Sequence, residues 1–217
     1  MIIDARTYTT RPGQMPAYLK HVEENGYPLQ KKHGYELAGY FTVETGALNK
    51  AVHYWKYESA AARQEIRASL AADPAWADYL RVGREMLVEQ ENRLLQTTDV
   101  VEPFAFTGNG SPQGFVDERT YSITYTQVPN YVEVTKALAA PIIKDHGWQL
   151  LVYCSSATGR IGQVVHLWYW DSHAQREAAQ TAATADPRWP IYQAANGHRV
   201  IDQHNRYLLP VSFSPIK

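Results

Sequence analysis

The stretch VVHLWYW at residues 164–170 repeats the pattern of AVHYWKY at residues 51–57. The histidines of these stretches, His53 and His166, lie 113 positions apart, and no gap is needed to extend the match in both directions. The same spacing aligns DARTY (4–8) with DERTY (117–121), KKHGYELAGY (31–40) with KDHGWQLLVY (144–153), ADPAWADY (72–79) with ADPRWPIY (185–192), and QENRLL (90–95) with QHNRYL (203–208). A repeat of this length indicates a duplicated domain.

The repeat predicts two domains, residues 1–97 and 115–217, joined by a linker at residues 98–114. The chain between the two copies, TTDVVEPFAFTGNGSPQG (97–114), is rich in Thr, Gly, Pro, Ser and Asn. This composition is typical of a connecting segment, because these residues favour turns over helices and strands.

Each copy contains the signals of six main elements in the order βαββαβ. In the first copy, IIDARTYTT alternates like a strand, and apolar residues with helical spacing follow it. Strands are then predicted at residues 35–43 and 50–57, a helix capped by Ser59, a short helix capped by Asp73, and a last strand at 86–96. This order predicts a ferredoxin-like unit, whose sheet carries helices on one face only.

The uncovered face of such a sheet needs a partner, and the second copy can supply it. The predicted fold class is therefore α+β: two ferredoxin-like βαββαβ repeats packed sheet to sheet as a pseudo-symmetric dimeric α/β barrel within one chain.

Composition excludes several function classes. The 217 residues carry 21 Lys and Arg against 22 Asp and Glu, so no excess of positive charge is available for nucleic acid. No apolar run approaches the roughly 20 residues that span a bilayer. The start MIIDARTYTT alternates like a strand and does not resemble a signal peptide. The single cysteine, Cys154, cannot form an internal disulfide. A cytoplasmic protein without membrane or nucleic-acid partners is expected.

The chain resembles the NIPSNAP family of the dimeric α/β-barrel superfamily. The resemblance is carried by RTYTTRPGQMPAYL (6–19), PLQKKHG (28–34), LAGYFTVETGALNKAVHYWKYES (37–59), ADPAWADYL (72–80) and EQENRLL (89–95). Members of the wider superfamily bind haem, or transform aromatic and polyketide-like molecules without a cofactor. The resemblance thus implies a cavity between sheet and helices.

Alternation along the strands places Asp4, Arg6 and Tyr8 on one face, and His53 and Trp55 on one face of a neighbouring strand. The catalytic candidates are therefore a histidine as general base, an arginine as oxyanion clamp and a tyrosine as proton donor: His53, Arg6 and Tyr8 in the first copy, and His166, Arg119 and Tyr121 in the second. The alternative is structural, because Asp4 could neutralise a buried Arg6 and both copies carry the whole set.

The second copy differs from the first by added aromatic residues and smaller residues on its first helix. This difference predicts an apolar ligand site in the second half, with candidate ligand-binding residues Trp148, Trp168, Trp170, Tyr153 and Trp189. An ordinary aromatic core is the alternative. His33, His146, Asp73 and Asp186 are interpreted as helix caps. Dispersed histidines predict no metal site and no cofactor.

These observations favour a protein that binds a small hydrophobic or aromatic molecule and that, if catalytic, performs proton transfer, isomerisation or oxygenation without a cofactor. A non-enzymatic binding or scaffolding protein is the main alternative, and a haem-binding barrel is the third. A homodimer of the two-repeat chain stays open.

Overall fold

The computed structural model describes residues 1–106 and 110–217, so residues 107–109 of the predicted linker lie outside the described residues. Both halves contain the same order of elements. The first half has β1 (Ile2–Thr10), α1 (Met15–His21), α2 (Tyr27–Lys32), β2 (Glu36–Val43), β3 (Lys50–Tyr57), α3 (Ala60–Ala71), α4 (Pro74–Gly83) and β4 (Leu87–Thr97). The second has β5 (Phe115–Ile123), α5 (Val128–Val134), α6 (Ala140–Asp145), β6 (Gln149–Ser156), β7 (Gln163–Trp170), α7 (His173–Ala185), α8 (Trp189–Asn196) and β8 (Val200–Pro210).

A π-helical turn joins the two parts of the first helix in each half, at Val22–Gly26 and Thr135–Ala139. Each turn comes just before a proline in the first turn of the next helix, Pro28 or Pro141. Proline lacks an N–H and its ring clashes with the carbonyl four residues earlier. The wider turn lets the helix continue past that residue. Gly34, at φ 85°, then ends α2 in the left-handed conformation that glycine adopts without cost.

Side-chain caps begin two helices of the first half in the way the sequence predicts, but the cap predicted for α8 does not form. Ser59 accepts from the N–H of Ala62, and Asp73 accepts from the N–H of Ala75. The prediction that Asp186 caps α8 is wrong. That helix begins at Trp189, and Asp186 ends α7 while its carboxylate accepts from the N–H of Arg188. The N–H of Arg188 lies outside both helices, so this hydrogen bond stabilises the short connection between α7 and α8.

The first structural unit contains Met1–Leu94 and Leu209–Ile216. Its strands lie in the order β4, β1, β3, β2, the order of a ferredoxin-like sheet. In the antiparallel pairing of β1 with β3, Arg6 lies opposite His53. The C-terminal segment joins this unit where the Val211 N–H donates to the Tyr40 carbonyl and the Tyr40 N–H donates to Ser214 Oγ.

The second unit contains Leu95–Leu208 and Lys217. Its strands lie in the corresponding order β8, β5, β7, β6, and Arg119 lies opposite His166 in the antiparallel pairing of β5 with β7. The end of β4 pairs with β6, where Leu95 faces Ser156. All eight residues of β7 are buried, and the strand pairs with β5 along one edge and with β6 along the other. Both predicted repeats thus have the predicted element order.

Within residues 1–106 and 110–217, no helix combines the length and the apolar character that crossing a membrane requires.

Candidate functional site

Asp4 is the buried centre of a charge network in the first unit. Its carboxylate is fully buried and accepts from the Arg6 guanidinium at 2.9 Å, from Arg63 Nε at 2.8 Å and from Asn92 at 3.4 Å. Burial by itself raises the pKa of Asp4, but Arg6 and Arg63 together hold that pKa below its ordinary value. Two guanidiniums face one carboxylate, so the network carries a net positive charge.

Arg6 connects this network to a phenol. Its Nη1 donates to the hydroxyl oxygen of Tyr8 at 2.8 Å, which leaves the Tyr8 proton available to a further acceptor. The Tyr8 ring meets His53 edge to face, with 4.7 Å between ring centroids. The structure therefore brings together the three catalytic candidates of the first copy, Arg6, Tyr8 and His53.

His53 is held in one tautomer by Trp55. The indole Nε1 lies 2.6 Å from His53 Nδ1, and an indole N–H can only donate, so Nδ1 accepts and the ring proton is on Nε2. Burial, followed by the charge of Arg6, lowers the pKa of His53 well below its ordinary value, so the ring is neutral. Nε2 is buried and has no hydrogen-bond partner among the described residues. His53 therefore presents a donor at Nε2, and the expected role as general base does not fit this tautomer.

Aromatic rings enclose the histidine on its other sides. The Tyr40 ring stacks on His53 with 4.6 Å between centroids and 4° between planes, and its hydroxyl donates to the Tyr18 hydroxyl. Burial raises the pKa of both phenols well above the ordinary value, so both stay protonated. Phe213 of the C-terminal segment packs against the far side of Tyr40 at 4.9 Å.

These groups line a cavity of about 570 Å³ in the first unit, a volume within the range of small-molecule sites. Its wall combines the polar face of β1 and β3 with aromatic and apolar side chains of the helices. The lining includes Arg6, Tyr8, Tyr18, Tyr35, Tyr40, His53, Arg67, Trp76, Tyr79, Gly83, Arg84 and Glu89.

The second unit repeats the polar network at corresponding positions. Asp117 is fully buried and accepts from Arg119 at 2.8 Å, Arg176 at 3.1 Å and Asn205 at 3.1 Å. The Trp168 indole donates to His166 Nδ1 at 2.5 Å, and burial with the charge of Arg119 lowers the pKa of His166 well below its usual range. His166 is thus also a neutral donor at Nε2, and the same objection applies to it as a general base.

The corresponding cavity of the second unit has about 550 Å³ but a different lining. Arg119, Tyr121, Trp148 and Trp189 line it, whereas His166, Tyr153, Trp168 and Trp170 do not. Trp170 is fully buried and packs edge to face on Trp148 at 5.2 Å. Of the eight predicted site residues in this half, the cavity therefore gathers four, and the others lie in the packed core.

A buried asparagine distinguishes the second cavity from the first. Asn196 donates to the Tyr131 carbonyl at 3.0 Å and to Thr135 Oγ1 at 3.1 Å. The positions 113 residues earlier hold Gly83 for Asn196 and Val22 for Thr135. A methyl group added at Gly83 would meet nothing within 4 Å, so this volume is open in the first unit. The second unit fills it with a hydrogen-bonded amide.

A model of the NIPSNAP family matches residues 3–101 and again residues 116–215. The chain belongs to the NIPSNAP family. It is similar to the human protein NipSnap homolog 3A, with 26% identity over 213 residues that cover 98% of this chain and 84% of the relative.

Solved structures match the NIPSNAP chain over nearly its whole length. A monooxygenase-like protein of Fusobacterium nucleatum covers 100% of this chain and 97% of its own length, with a TM-score of 0.68 and 9% identity. A second monooxygenase-like protein, from Lactobacillus acidophilus, covers 96% and 92%, with a TM-score of 0.65 and 9% identity. At such low identity the likeness shows the fold alone. The predicted fold class, α+β with two ferredoxin-like repeats of the dimeric α/β-barrel type, is confirmed.

In this NIPSNAP chain, two predicted capping histidines have carboxylate partners. His33 and His146 do end their helices, but their Nε2 atoms lie 2.9 Å from Asp73 and 3.0 Å from Asp186, not beside helix carbonyls. Hydrogen bonds from Lys32 and His33 lower the pKa of Asp73, and Arg188 lowers that of Asp186. The first pair links the end of α2 to the start of α4, and the second links the end of α6 to the end of α7.

The histidine tautomers also bear on haem binding. A histidine that ligates iron through Nε2 usually donates its Nδ1–H to an acceptor, whereas Trp55 and Trp168 donate to Nδ1 here. The residues present do not fit axial ligation at His53 or His166. Among the described residues, no group of three or more His, Cys, Asp or Glu is arranged to hold a metal ion.

Several residues of the first unit that hold or line this site were not among the predicted site residues. They lie outside β1 and β3, and each recurs as the same residue type 113 positions later, which is the signal that could have found them: Arg63, Asn92, Tyr18, Tyr40 and Tyr79.

Proposed function

We propose that the cavity of the first unit binds a small hydrophobic or aromatic molecule whose oxygen accepts from His53 and Tyr8. The observation that carries this proposal is that His53 lines the cavity and that its buried Nε2–H has no partner among the described residues. A buried donor without a partner costs about 1–3 kcal/mol. A ligand oxygen would recover that free energy.

The rest of the wall suits a flat apolar body. Tyr40 and Trp76 line the cavity, and Tyr79 stacks on Trp76 with 4.6 Å between centroids. Such rings offer large apolar faces with little conformational freedom to lose. Aromatic walls with a few convergent polar groups are the usual construction of small-molecule sites.

The same donors define what chemistry the site could perform. His53 Nε2–H, the Tyr8 hydroxyl and the positive charge of Arg6 would stabilise an enolate or phenolate oxygen as negative charge develops on it. Proton transfer, isomerisation and cofactor-independent oxygenation all pass through such an oxyanion. In this proposal His53 and Tyr8 polarise the oxygen, and neither removes the proton.

A structural role for the buried charges is the second candidate, and one observation favours it. Asp4 and Asp117 hold the same partners in both units, although only the first cavity reaches its histidine. Because the network is present in both units, including the one whose cavity does not reach its histidine, its role in this alternative is to stabilise the fold. A binding or scaffolding protein without turnover is compatible with it.

Calorimetric titration with 2-naphthol as a probe tests the binding proposal, together with native mass spectrometry of the freshly purified protein. Gly83→Asn places in the first cavity the amide that fills the second, and Val82→Asn makes the same change at an exposed neighbour on α4. We expect 2-naphthol to bind the wild type and Val82→Asn alike, and to bind Gly83→Asn at least about tenfold more weakly. Equal binding by all three proteins, or no binding and no co-purified small molecule, would overturn the proposal.

A further inference from the structure

The charged side chains that line the first cavity are not balanced. They are three arginines, Arg6, Arg67 and Arg84, and one acid, Glu89. Arg6 is already paired with Asp4, and Glu89 faces Lys50 at 3.7 Å between Oε2 and Nζ. For Arg67 and Arg84, the described residues show no carboxylate within ion-pair distance. The wall therefore carries two guanidinium charges that the protein itself does not neutralise.

Arg67 and Arg6 approach the same part of the wall. Burial raises the pKa of Tyr35, and the positive charges of Arg67 and Arg6 both oppose that increase. Tyr35 therefore lies within electrostatic range of both guanidiniums. Arg67 is half-buried on α3, and Arg84, at the end of α4, is exposed. Both side chains thus border the cavity, Arg67 partly buried and Arg84 exposed.

The second copy lacks both of these charges. The positions 113 residues later hold Gln180 for Arg67 and Gly197 for Arg84, while the arginine and tyrosine of the strand are kept. The charged residues that line the second cavity are Arg119, which is paired with Asp117 as Arg6 is with Asp4, and Glu177, so no unpaired guanidinium lines it. The positive charge is therefore particular to the cavity that reaches its histidine, and is no general property of the repeat.

We infer that the first cavity is selective for an apolar or aromatic molecule bearing a carboxylate, which Arg67 and Arg84 bind. The inference rests on the proposed function and names the ligand class of the same site. Guanidinium and carboxylate form paired, charge-assisted hydrogen bonds, about twice as strong as those between neutral groups. Partial burial strengthens the attraction because water screens the charges less.

A matched pair of probes separates charge from shape. 2-Naphthoate and 2-naphthamide have nearly the same size, but only the first is an anion at neutral pH. In calorimetric titrations we expect the wild type to bind 2-naphthoate at least about tenfold more tightly than the amide. Arg67→Gln and Arg84→Gln should each reduce that preference about fivefold or more, because naphthoate loses more affinity than the amide. Arg81→Gln, at an exposed arginine of α4 that does not line the cavity, is the control.

The outcomes distinguish this inference from the proposal on which it rests. Equal affinity of the wild type for both probes, or a preference that survives both arginine substitutions, overturns the carboxylate inference while the cavity proposal stands. If neither probe binds while 2-naphthol does, only the carboxylate inference fails; if 2-naphthol does not bind either and no small molecule co-purifies, both fail. A third probe, 2-naphthyl phosphate, tests the anion itself. Tighter binding of this dianion than of naphthoate, with the same dependence on Arg67, would replace the carboxylate by a phosphate.

Discussion

Trp55 donates its indole N–H to Nδ1 of His53 across 2.6 Å, and Trp168 donates to His166 across 2.5 Å. The residues are two apart on a strand, so their side chains lie on the same face. The repeated H-x-W pattern therefore places an indole donor beside the histidine Nδ1 in both copies. Each tryptophan holds its histidine as a neutral ring that donates through Nε2. In the first unit this histidine lines the cavity, and in the second the histidine lies outside the cavity lining.

Substituting Trp55 by Phe tests the role of that bond in binding. The change keeps an aromatic ring but removes the donor, so His53 loses its fixed tautomer. We expect about 2 kcal/mol less stability and roughly fivefold weaker binding of 2-naphthol, measured by denaturant unfolding and calorimetry. Trp168→Phe is the matched control, with a similar loss of stability and unchanged binding. An equal effect of both substitutions on binding would contradict the assignment of the site to the first unit.

The free energy of unfolding should decrease as the pH is lowered below about 6.5, because of the two buried histidines. The folded-state pKa of His53 and of His166 lies well below the ordinary value, so the unfolded chain takes up a proton that the folded chain does not. Each histidine therefore lowers the unfolding free energy by about 1.4 kcal/mol per pH unit, from pH 6.5 down to its folded pKa. Above pH 6.5 both states are neutral and the effect vanishes.

Variants give that pH prediction its control. His53→Gln and His166→Gln should each reduce the slope of unfolding free energy against pH by about one proton, measured between pH 5 and 6.5. An unchanged slope in both variants would show that the histidines do protonate in the folded protein.

Removing the charge of Asp4 should destabilise the first unit strongly. Asp4→Asn leaves Arg6 and Arg63 without their buried carboxylate, and such a loss costs about 3–5 kcal/mol. The pKa of Asp4 is lowered, so its contribution is complete above about pH 3.8 and is lost as pH falls through the lower folded value. Asp78→Asn, at an exposed aspartate, should change stability by under about 0.5 kcal/mol. Similar results for both variants would contradict the network.

A close approach between Gly26 and Tyr79 should control the shape of the first cavity. A Cβ at Gly26 would lie 2.6 Å from the Tyr79 ring, whereas the second copy has Ala139 at the corresponding position. Gly26→Ala must therefore displace the ring that lines the cavity. We expect weaker binding of 2-naphthol by about threefold or more, with Gly197→Ala as the control for a glycine change, because that residue has φ −61° and a Cβ there meets nothing within 4 Å. Unchanged binding would place the ligand away from Tyr79.

The fold could be predicted from the sequence because the repeat and the strand alternation agree at every element. Arg6 and His53 were predicted to lie on adjacent strands, and they are direct neighbours in the sheet. What escaped prediction depends on distances between elements. Whether His53 Nδ1 accepts or donates follows from the position of one indole nitrogen, and nothing in the residue order reports it.

The role of the aromatic residues added in the second copy could also not be predicted from the sequence. Trp148 and Trp170 replace tyrosines and favour a ligand site in that half by sequence. In the structure Trp170 fills the core, and only Trp148 lines a cavity. A large side chain can fill a space or border one, and the spacing of the surrounding backbone decides between them. The open position is at a small residue, Gly83, which composition alone does not single out.

The most direct test of the site is the ring-nitrogen NMR spectrum of the histidines, recorded with and without saturating 2-naphthoate. We expect His53 and His166 both to be neutral with the proton on Nε2. On addition of the ligand, the Nε2–H signal of His53 should shift as it gains an acceptor, while that of His166 stays in place. A proton on Nδ1 of His53, or a ligand response at His166 and not at His53, would contradict the assignment of the ligand site to His53 in the first unit.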